Sequence, residues 1–166
     1  MVQPSDPNMF RLNKLTDYAI VVMTYIASSP ELSLHSAREL AEHTQLPAAT
    51  VGKILRELLD HGLVVSHRGI KGGYTLARTP GQISLAEIIA ALEGPVGFTE
   101  CNTTHGCCDL EPSCTIRYNS GVIGRTLQDA LDHIHLSDLT RPLSLVASGG
   151  GGRNDVVSIT LGSGRE

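Results

Sequence analysis

Residues 36–78 read SARELAEHTQLPAATVGKILRELLDHGLVVSHRGIKGGYTLAR, and they contain two helix patterns followed by a hairpin pattern. Ser36 and Glu39 form a Ser-x-x-Glu capping box, which predicts the start of a short helix. A turn with Pro47 at the first helical position leads into a second helix over about 48–60. Two helices joined by such a short turn are typical of a helix-turn-helix.

The same stretch ends in two strand patterns. Residues 63–67 and 74–78 have the composition of strands, and the glycine-rich turn Arg68-Gly-Ile-Lys-Gly-Gly73 connects them. Before the stretch, apolar residues at helical spacing predict a helix over about 13–28, with Asn13 as its N-cap. Three helices followed by a hairpin is the order of a winged helix. The predicted fold class is therefore mainly α with a small β-hairpin wing.

Two further helices are predicted after the hairpin. Ser84-Leu-Ala-Glu87 is a second capping box, which opens a helix to about Glu93, and Gly94-Pro95 ends it. A long helix is predicted over about 116–134 because an apolar stripe recurs along it at helical spacing. The stripe consists of Ile116, Val122, Ile123, Leu127, Ala130, Leu131 and Ile134. This apolar face needs something to cover it.

Charge and hydropathy narrow the class of protein. The net charge is −4, but residues 1–80 carry eight Lys and Arg against seven Asp and Glu, whereas residues 81–166 carry five against ten. A DNA-binding protein needs a local basic face rather than a basic average. No apolar run approaches the ~18 residues of a membrane span. Residues 1–11 contain no signal-peptide pattern, so we expect a cytoplasmic protein without a membrane partner.

All four cysteines, Cys101, Cys107, Cys108 and Cys114, lie within one short segment. Thiolates are soft ligands that suit iron–sulfur clusters, Zn²⁺ or Cu(I). Intervals of five or six residues are wider than those of structural zinc sites, which favours a loop around a cluster. The alternatives are a vicinal disulfide, surface thiols or a redox switch without metal. His105 lies within this segment, and we expect it to be exposed to solvent rather than a ligand.

A set of polar and basic residues is predicted to face DNA. They are Arg38 on the first helix of the helix-turn-helix, Thr50, Lys53 and Arg56 on the second, and Arg68 and Lys71 in the hairpin turn. Cations on such a helix reach phosphates and guanine edges, and a thin wing reaches a neighbouring groove. The alternative is that each is an ordinary solvated charge. Gly52 lies in the middle of the second helix, either because the helix approaches something closely or through simple drift.

Three stretches carry a resemblance to a known family: residues 10–19, the turn 68–74 and the cysteine segment. They resemble the IscR–NsrR–RirA family of winged-helix regulators over about residues 9–142. The segment Cys108-Asp-Leu-Glu-Pro-Ser-Cys114 looks most like the regulators of SUF-system iron–sulfur assembly. The resemblance implies a homodimer in which the 116–134 helices pack together. It also implies a 2Fe–2S or 4Fe–4S cluster on three cysteines of each subunit.

The resemblance assigns ligand roles to individual residues. Cys101 and Cys114 match the outer ligands, and Cys108 matches the middle one by its spacing from Cys114. Cys107 is then a spare thiol, a rival for the middle position or a fourth ligand. Asp17 aligns with an aspartate that the partner subunit supplies in NsrR-like members, although a first-turn acid favoured by the helix dipole is the alternative. Arg117 stands where IscR-like members place a histidine ligand.

We therefore expect a DNA-binding transcriptional regulator, a repressor of iron–sulfur assembly genes gated by a bound cluster. The alternatives are a regulator of the same fold that senses nitric oxide, iron or thiol oxidation, and a metal-binding or interaction module that does not bind DNA. We expect no enzyme and no small-molecule substrate, because no nucleophile–base set or phosphate loop is present. The expected segments are a flexible leader (1–9), a winged-helix domain (10–95), a cysteine loop (96–115), a dimerisation helix with its following segment (116–142) and a flexible tail (143–166).

Overall fold

The computed structural model describes residues 12–29, 33–69, 72–95, 97, 99 and 114–141, and the backbone of two strands at 145–147 and 159–161. The winged unit contains α1 (Lys14–Ser28), α2 (Ala37–Thr44), α3 (Ala48–Asp60), β1 (Val64–His67), β2 (Gly73–Leu76), a 3₁₀ turn (Pro80–Gln82) and α4 (Leu85–Glu93). It is followed by α5 (Arg117–Asp132), α6 (Leu136–Leu139), β3 (Leu145–Ala147) and β4 (Ile159–Leu161). This order of helices and hairpin confirms the predicted winged helix-turn-helix.

The polar residues predicted to cap the helices do so. Asn13 Oδ1 accepts from the backbone N–H of Thr16 at 2.9 Å, at the start of α1. Ser84 forms the complete capping box with Glu87 at the start of α4. At α2 the box is different, because Ser36 accepts from the N–H of Glu39 while the Glu39 carboxylate lies 3.1 Å from His35 Nδ1. The Glu39 carboxylate therefore contacts the His35 imidazole instead of completing the capping box.

The bounds of α3 confirm the predicted helix over about 48–60, but Pro47 lies one position before the first helical residue. Pro47 is the N-cap, with extended backbone, and the helix begins at Ala48. Proline has no backbone N–H. It is tolerated at the N-cap and at the first helical position because an N–H at either place would have no acceptor within the helix. Val51, Ile54, Leu55 and Leu58 are fully buried, as the apolar spacing predicted. Gly62 follows the C-cap with φ +68°, which confirms it as the residue that ends this helix.

The core of the winged unit has two parts around α3. Ile54 and Leu58 pack with Met23 of α1 and Ile88 of α4. On the α2 side of α3, Val51 and Leu55 pack with residues of α1 and α2, among them Val22 and Leu40. Leu136 of α6 is also fully buried in the first part. The chain after α5 therefore returns to the winged unit, which the sequence patterns did not predict.

The C-terminal end of α5 is tied to the start of α4. The N–H of Leu85 donates to the carbonyl of Ile134 at 2.7 Å, and the N–H of Leu136 donates to the carbonyl of Ile83 at 2.9 Å. The Ser84 hydroxyl donates to Asp132 Oδ1 at 3.2 Å. We call this set of three bonds the α4–α5 tie. It fixes one end of the long helix to the winged unit.

Part of the apolar stripe of α5 is uncovered in the single chain. Ile116, Val122 and Ile123 are 60%, 40% and 42% exposed. The buried positions in this half of the helix are the small residues Ser120 and Gly124. In this half of α5 the small residues are therefore buried, and the larger apolar side chains face outward. Among the described helices, none has both the length and the apolar character needed to cross a membrane.

Two stretches of the predicted flexible tail form strands. Leu145–Ala147 and Ile159–Leu161 pair antiparallel, with Val146 opposite Thr160. Valine, isoleucine and threonine favour strands, and pairing requires a second strand that the local pattern at 156–161 does not reveal. The leader 1–9 and the linker between the two strands lie outside the described residues.

An ion pair connects the base of the hairpin to α4. Arg78 Nη2 lies 2.7 Å from Glu87 Oε1. Burial raises the pKa of Glu87, but hydrogen bonds from Arg78 and Ser84 outweigh it, so this pKa is lowered overall. A lowered folded-state pKa means that the contribution to stability is present above the unfolded-state pKa and is lost as pH falls through the folded value.

We expect Ser84→Ala to lower the free energy of unfolding by about 1 kcal/mol, because it removes the N-cap acceptor of α4 and one bond of the α4–α5 tie. Urea denaturation followed by circular dichroism measures this change. Ser84→Thr keeps the hydroxyl and is the control, from which we expect a smaller loss. An Ala variant as stable as the wild type would contradict this account of the cap.

Candidate nucleic-acid interface

The outward side of α3 carries the predicted DNA-facing residues. Helical periodicity buries Val51, Ile54 and Leu55, so Gly52, Lys53 and Arg56 are exposed on the opposite side. We call these three residues the recognition face. Thr50 lies in the first turn and is half-buried, and its N–H donates to the carbonyl of Pro47 at 2.9 Å. The exposed side of α3 therefore presents one glycine and two cations, Lys53 and Arg56.

Two of the arginines that were predicted to face DNA form ion pairs with neighbouring carboxylates. Arg38 Nε lies 2.8 Å from Glu42 Oε1, and the hydrogen bond and charge of Glu42 raise the pKa of Arg38. Arg56 Nε lies 4.0 Å from Asp60 Oδ2. Such exposed pairs contribute little to stability, so a phosphate oxygen can displace the carboxylate at small cost. Lys53 has no ion-pair partner among the described residues.

The hairpin, which we call the wing, brings a further cation to the surface. Strands β1 and β2 pair antiparallel with Val64 opposite Leu76 and His67 opposite Gly73. Arg68 follows β1 directly and is exposed. Lys71, which was predicted to act with it, lies outside the described residues. The wing therefore supplies one described cation, at its outer end.

A backbone bridge anchors the wing to the segment before α2. The N–H of Tyr74 donates to the carbonyl of His35 at 2.8 Å, and the N–H of His35 donates to the carbonyl of Tyr74 at 3.1 Å. A Cβ at Gly73 would lie 2.7 Å from the carbonyl oxygen of His35, closer than real Cβ contacts. Glycine at position 73 thus allows the two backbones to approach. We call this contact the His35–Tyr74 bridge.

The side chain of His35 reinforces this bridge from the inside. The residue is 4% exposed, its Nδ1 contacts Glu39 of α2, and its ring meets the Tyr25 ring edge-on at 5.5 Å. One residue therefore joins α1, α2 and β2. Sequence reasoning did not identify it, because the sequence pattern placed Gly73 in the turn, whereas the structure places it in β2, where glycine is a signal of close backbone approach.

Of the predicted cluster ligands, the structure describes Cys114. Its thiol is free and half-buried, and it lies just before the first turn of α5. The thiolate is the form of cysteine that binds metal. Cys101, Cys107 and Cys108 lie outside the described residues, as does His105. Within the described part of the chain, no group of three or more His, Cys, Asp or Glu side chains is arranged to hold a metal ion.

Asp17 lies in the first turn of α1, at the end of the winged unit where the cysteine segment begins. It is exposed, and its backbone N–H donates to the carbonyl of Asn13. The N–H of Asn13 in turn donates to Glu93 Oε1 at 2.9 Å, which holds the start of α1 beside the end of α4. Asp17 fits a first-turn acid favoured by the helix dipole. Its role as a ligand from a partner subunit stays a prediction.

We expect Gly73→Ala to weaken binding to duplex DNA by about tenfold, equivalent to about 1.4 kcal/mol. A methyl group beside the His35 carbonyl forces β2 away from the bridge and displaces Arg68 with the wing. Fluorescence anisotropy measures the affinity, with Ser66→Ala as the control on exposed β1. In an Arg68→Ala background, Gly73→Ala should have little further effect. An equal loss in both backgrounds would contradict positioning through the wing.

The chain is similar to known transcriptional regulators. A family model, Rrf2, described as iron-dependent transcriptional regulator, matches residues 12–142. The HTH-type transcriptional regulator NsrR of Oceanobacillus iheyensis is 32% identical over 136 residues, which cover 78% of this chain and 89% of the relative. CymR, the global cysteine regulator of B. subtilis, has a TM-score of 0.63 at 24% identity, covering 79% of this chain and 96% of CymR. IscR of T. potens has a TM-score of 0.57 at 25% identity, covering 78% of this chain and 85% of IscR. The chain belongs to the Rrf2 family of winged-helix, DNA-binding transcriptional regulators, and it is not an enzyme.

Proposed function

We propose that the chain is a homodimeric repressor of iron–sulfur assembly genes whose affinity for its operator depends on an iron–sulfur cluster held by the cysteine segment, residues 96–115. Four thiols between two structured units support the metal centre. A relative named IscR at 25% identity is consistent with it. The observation that carries the proposal is the position of this segment between the end of α4 and the start of α5.

The proposed ligands are Cys101, Cys108 and Cys114, with Cys107 as the alternative middle ligand and Asp17 as the partner-subunit ligand. The donor set fits, because thiolates are the ligands that such clusters take and Cys114 is a free, half-buried thiol close before α5. A bound 2Fe–2S or 4Fe–4S group supplies a redox-sensitive link between these thiolates. Holding that group requires the cysteine segment to adopt one conformation, which fixes the start of α5.

The geometry of α5 explains how the cysteine segment would reach the DNA-binding surface. The C-terminal end of α5 is fixed by the α4–α5 tie, whereas its N-terminal end continues directly from Cys114. A change in the segment therefore turns α5 about the tie. The exposed residues Ile116, Val122 and Ile123 supply an apolar surface for a second copy of the chain. Turning α5 then changes the angle between two winged units.

Two recognition faces must meet half-sites about one helical turn apart at the same time. An altered angle between the winged units therefore lowers affinity at both half-sites. The coupling between the cysteine segment and the operator is the resulting free-energy difference, typically about 1–3 kcal/mol. The polar and basic residues proposed to make the contact are Arg38, Thr50, Lys53, Arg56, Arg68 and Lys71, of which Lys71 lies outside the described residues.

We expect Cys114→Ala to remove the visible absorption and the iron of anaerobically purified protein, and to change operator affinity, because an outer ligand is lost. Cys107→Ser and Cys108→Ser form a matched pair. The variant at the spare thiol should keep both signals, and the variant at the middle ligand should lose them. Wild-type protein that is colourless and iron-free without oxygen, and binds its operator like a cysteine-free variant, would exclude the proposed gating.

We expect Lys53→Ala to weaken binding to all duplexes by a similar factor and to reduce the salt dependence of log K by about one unit of slope, because a phosphate contact is lost. A salt titration of anisotropy measures both quantities. Lys14→Ala removes an exposed lysine of α1 and is the control. Equal effects of the two substitutions would show that the cations act through overall charge and not through α3.

A second candidate is a regulator of the same fold that senses nitric oxide, iron or thiol oxidation directly. The fourth cysteine favours it, since three ligands leave one thiol available for oxidation. The fold is also that of CymR, the global cysteine regulator of B. subtilis. Anaerobic absorption spectra before and after addition of nitric oxide or peroxide distinguish the two candidates. A chain that responds to peroxide without iron would favour the second.

A further inference from the structure

Gly52 is an unusual residue for its position. It lies in the middle of α3, it is exposed, and a Cβ built on it would meet no atom within 4 Å. Glycine is unfavourable inside a helix because it loses more backbone freedom on folding than alanine does. The space around Gly52 would accept alanine or a larger residue. No described part of the chain therefore requires glycine at position 52.

Three other glycines differ from Gly52, because the structure of the chain explains each of them. A Cβ at Gly73 would lie 2.7 Å from the backbone oxygen of His35, and a Cβ at Gly72 would clash with the backbone oxygen of His67. Gly62 has φ +68°, which side-chain-bearing residues rarely adopt. Contacts or backbone conformation within the chain explain these three glycines. The described residues offer no such explanation for Gly52, so close approach to another molecule is the alternative to simple drift.

The surroundings of Gly52 indicate what that molecule is. Lys53 is the next residue and Arg56 lies one turn later, and both are exposed with Gly52 on the recognition face. Their charge attracts a polyanion, and α3 is the second helix of the helix-turn-helix in a family of transcriptional regulators. The major groove admits a helix, and a missing side chain lets the helix backbone come closer to its edge.

We propose that Gly52 is a positioning residue for DNA recognition: without a side chain at this position, α3 lies deep enough for Lys53 and Arg56 to reach their contacts together. This inference rests on the proposed function only in that the chain binds duplex DNA through α3. Under this inference, contact with DNA explains a residue that destabilises α3. The same residue should then have opposite effects on folding and on binding.

The test measures both properties in one series of variants. Gly52→Ala should raise the midpoint of thermal unfolding, because alanine favours the helix. It should also lower affinity for a duplex selected from random sequence by the wild-type protein, by about tenfold, and Gly52→Leu should lower it further. The slope of log K against log salt concentration should become shallower from the wild type to Gly52→Ala to Gly52→Leu, because a displaced helix loses phosphate contacts. A residue with only a structural role would not change the salt dependence.

The outcomes separate this inference from the proposed function. Gly52 variants that bind the selected duplex as tightly as the wild type overturn the role of Gly52 and leave the proposed function unaffected. Weaker binding together with a lower unfolding midpoint also overturns it, because the helix itself is then damaged. A wild-type protein from which no duplex can be selected overturns DNA binding and the inference with it.

Discussion

Val51, Ile54, Leu55 and Leu58 have no exposed surface, and their burial against α1, α2 and α4 holds α3 in one rotational setting. Truncating one such side chain to alanine typically costs about 2–5 kcal/mol, whereas an exposed ion pair such as Arg56–Asp60 contributes about 0–1 kcal/mol. Core packing therefore decides which side of α3 faces outward. The cations on that side contribute little to the fold and are available for a ligand.

The local parts of this arrangement could be predicted from the sequence. The caps at Asn13 and Ser84 and the stop at Gly62 are short-range interactions, so the residues that make them are neighbours in the chain. The buried side of α3 follows from helical periodicity alone. Once the buried side is known, the exposed positions of Lys53 and Arg56 follow too. Family membership was predictable for a similar reason, because its motifs are contiguous stretches of sequence.

Long-range backbone contacts could not be predicted in the same way. The His35–Tyr74 bridge joins residues far apart in the chain, and neither residue type signals the pairing. The α4–α5 tie and the burial of Leu136 likewise depend on where the chain returns after α5. Hydrogen bonds between backbones carry no side-chain signature. Only Gly73, which removes a methyl group from the bridge, leaves a trace of such a contact in the sequence.

The wing and α5 are the two described elements that would carry regulation, and hydrogen bonds anchor each of them to a neighbouring part of the chain. The His35–Tyr74 bridge holds the wing to the segment before α2, and the α4–α5 tie holds the C-terminal end of α5 to α4. Each element also has an end that the described contacts leave exposed: Arg68 on the wing and Ile116 beside α5. In the proposed regulator, the cysteine segment acts on the exposed end of α5, and a second copy of the chain covers the apolar surface beside it. The angle between two recognition faces then becomes the quantity that the cysteine segment sets.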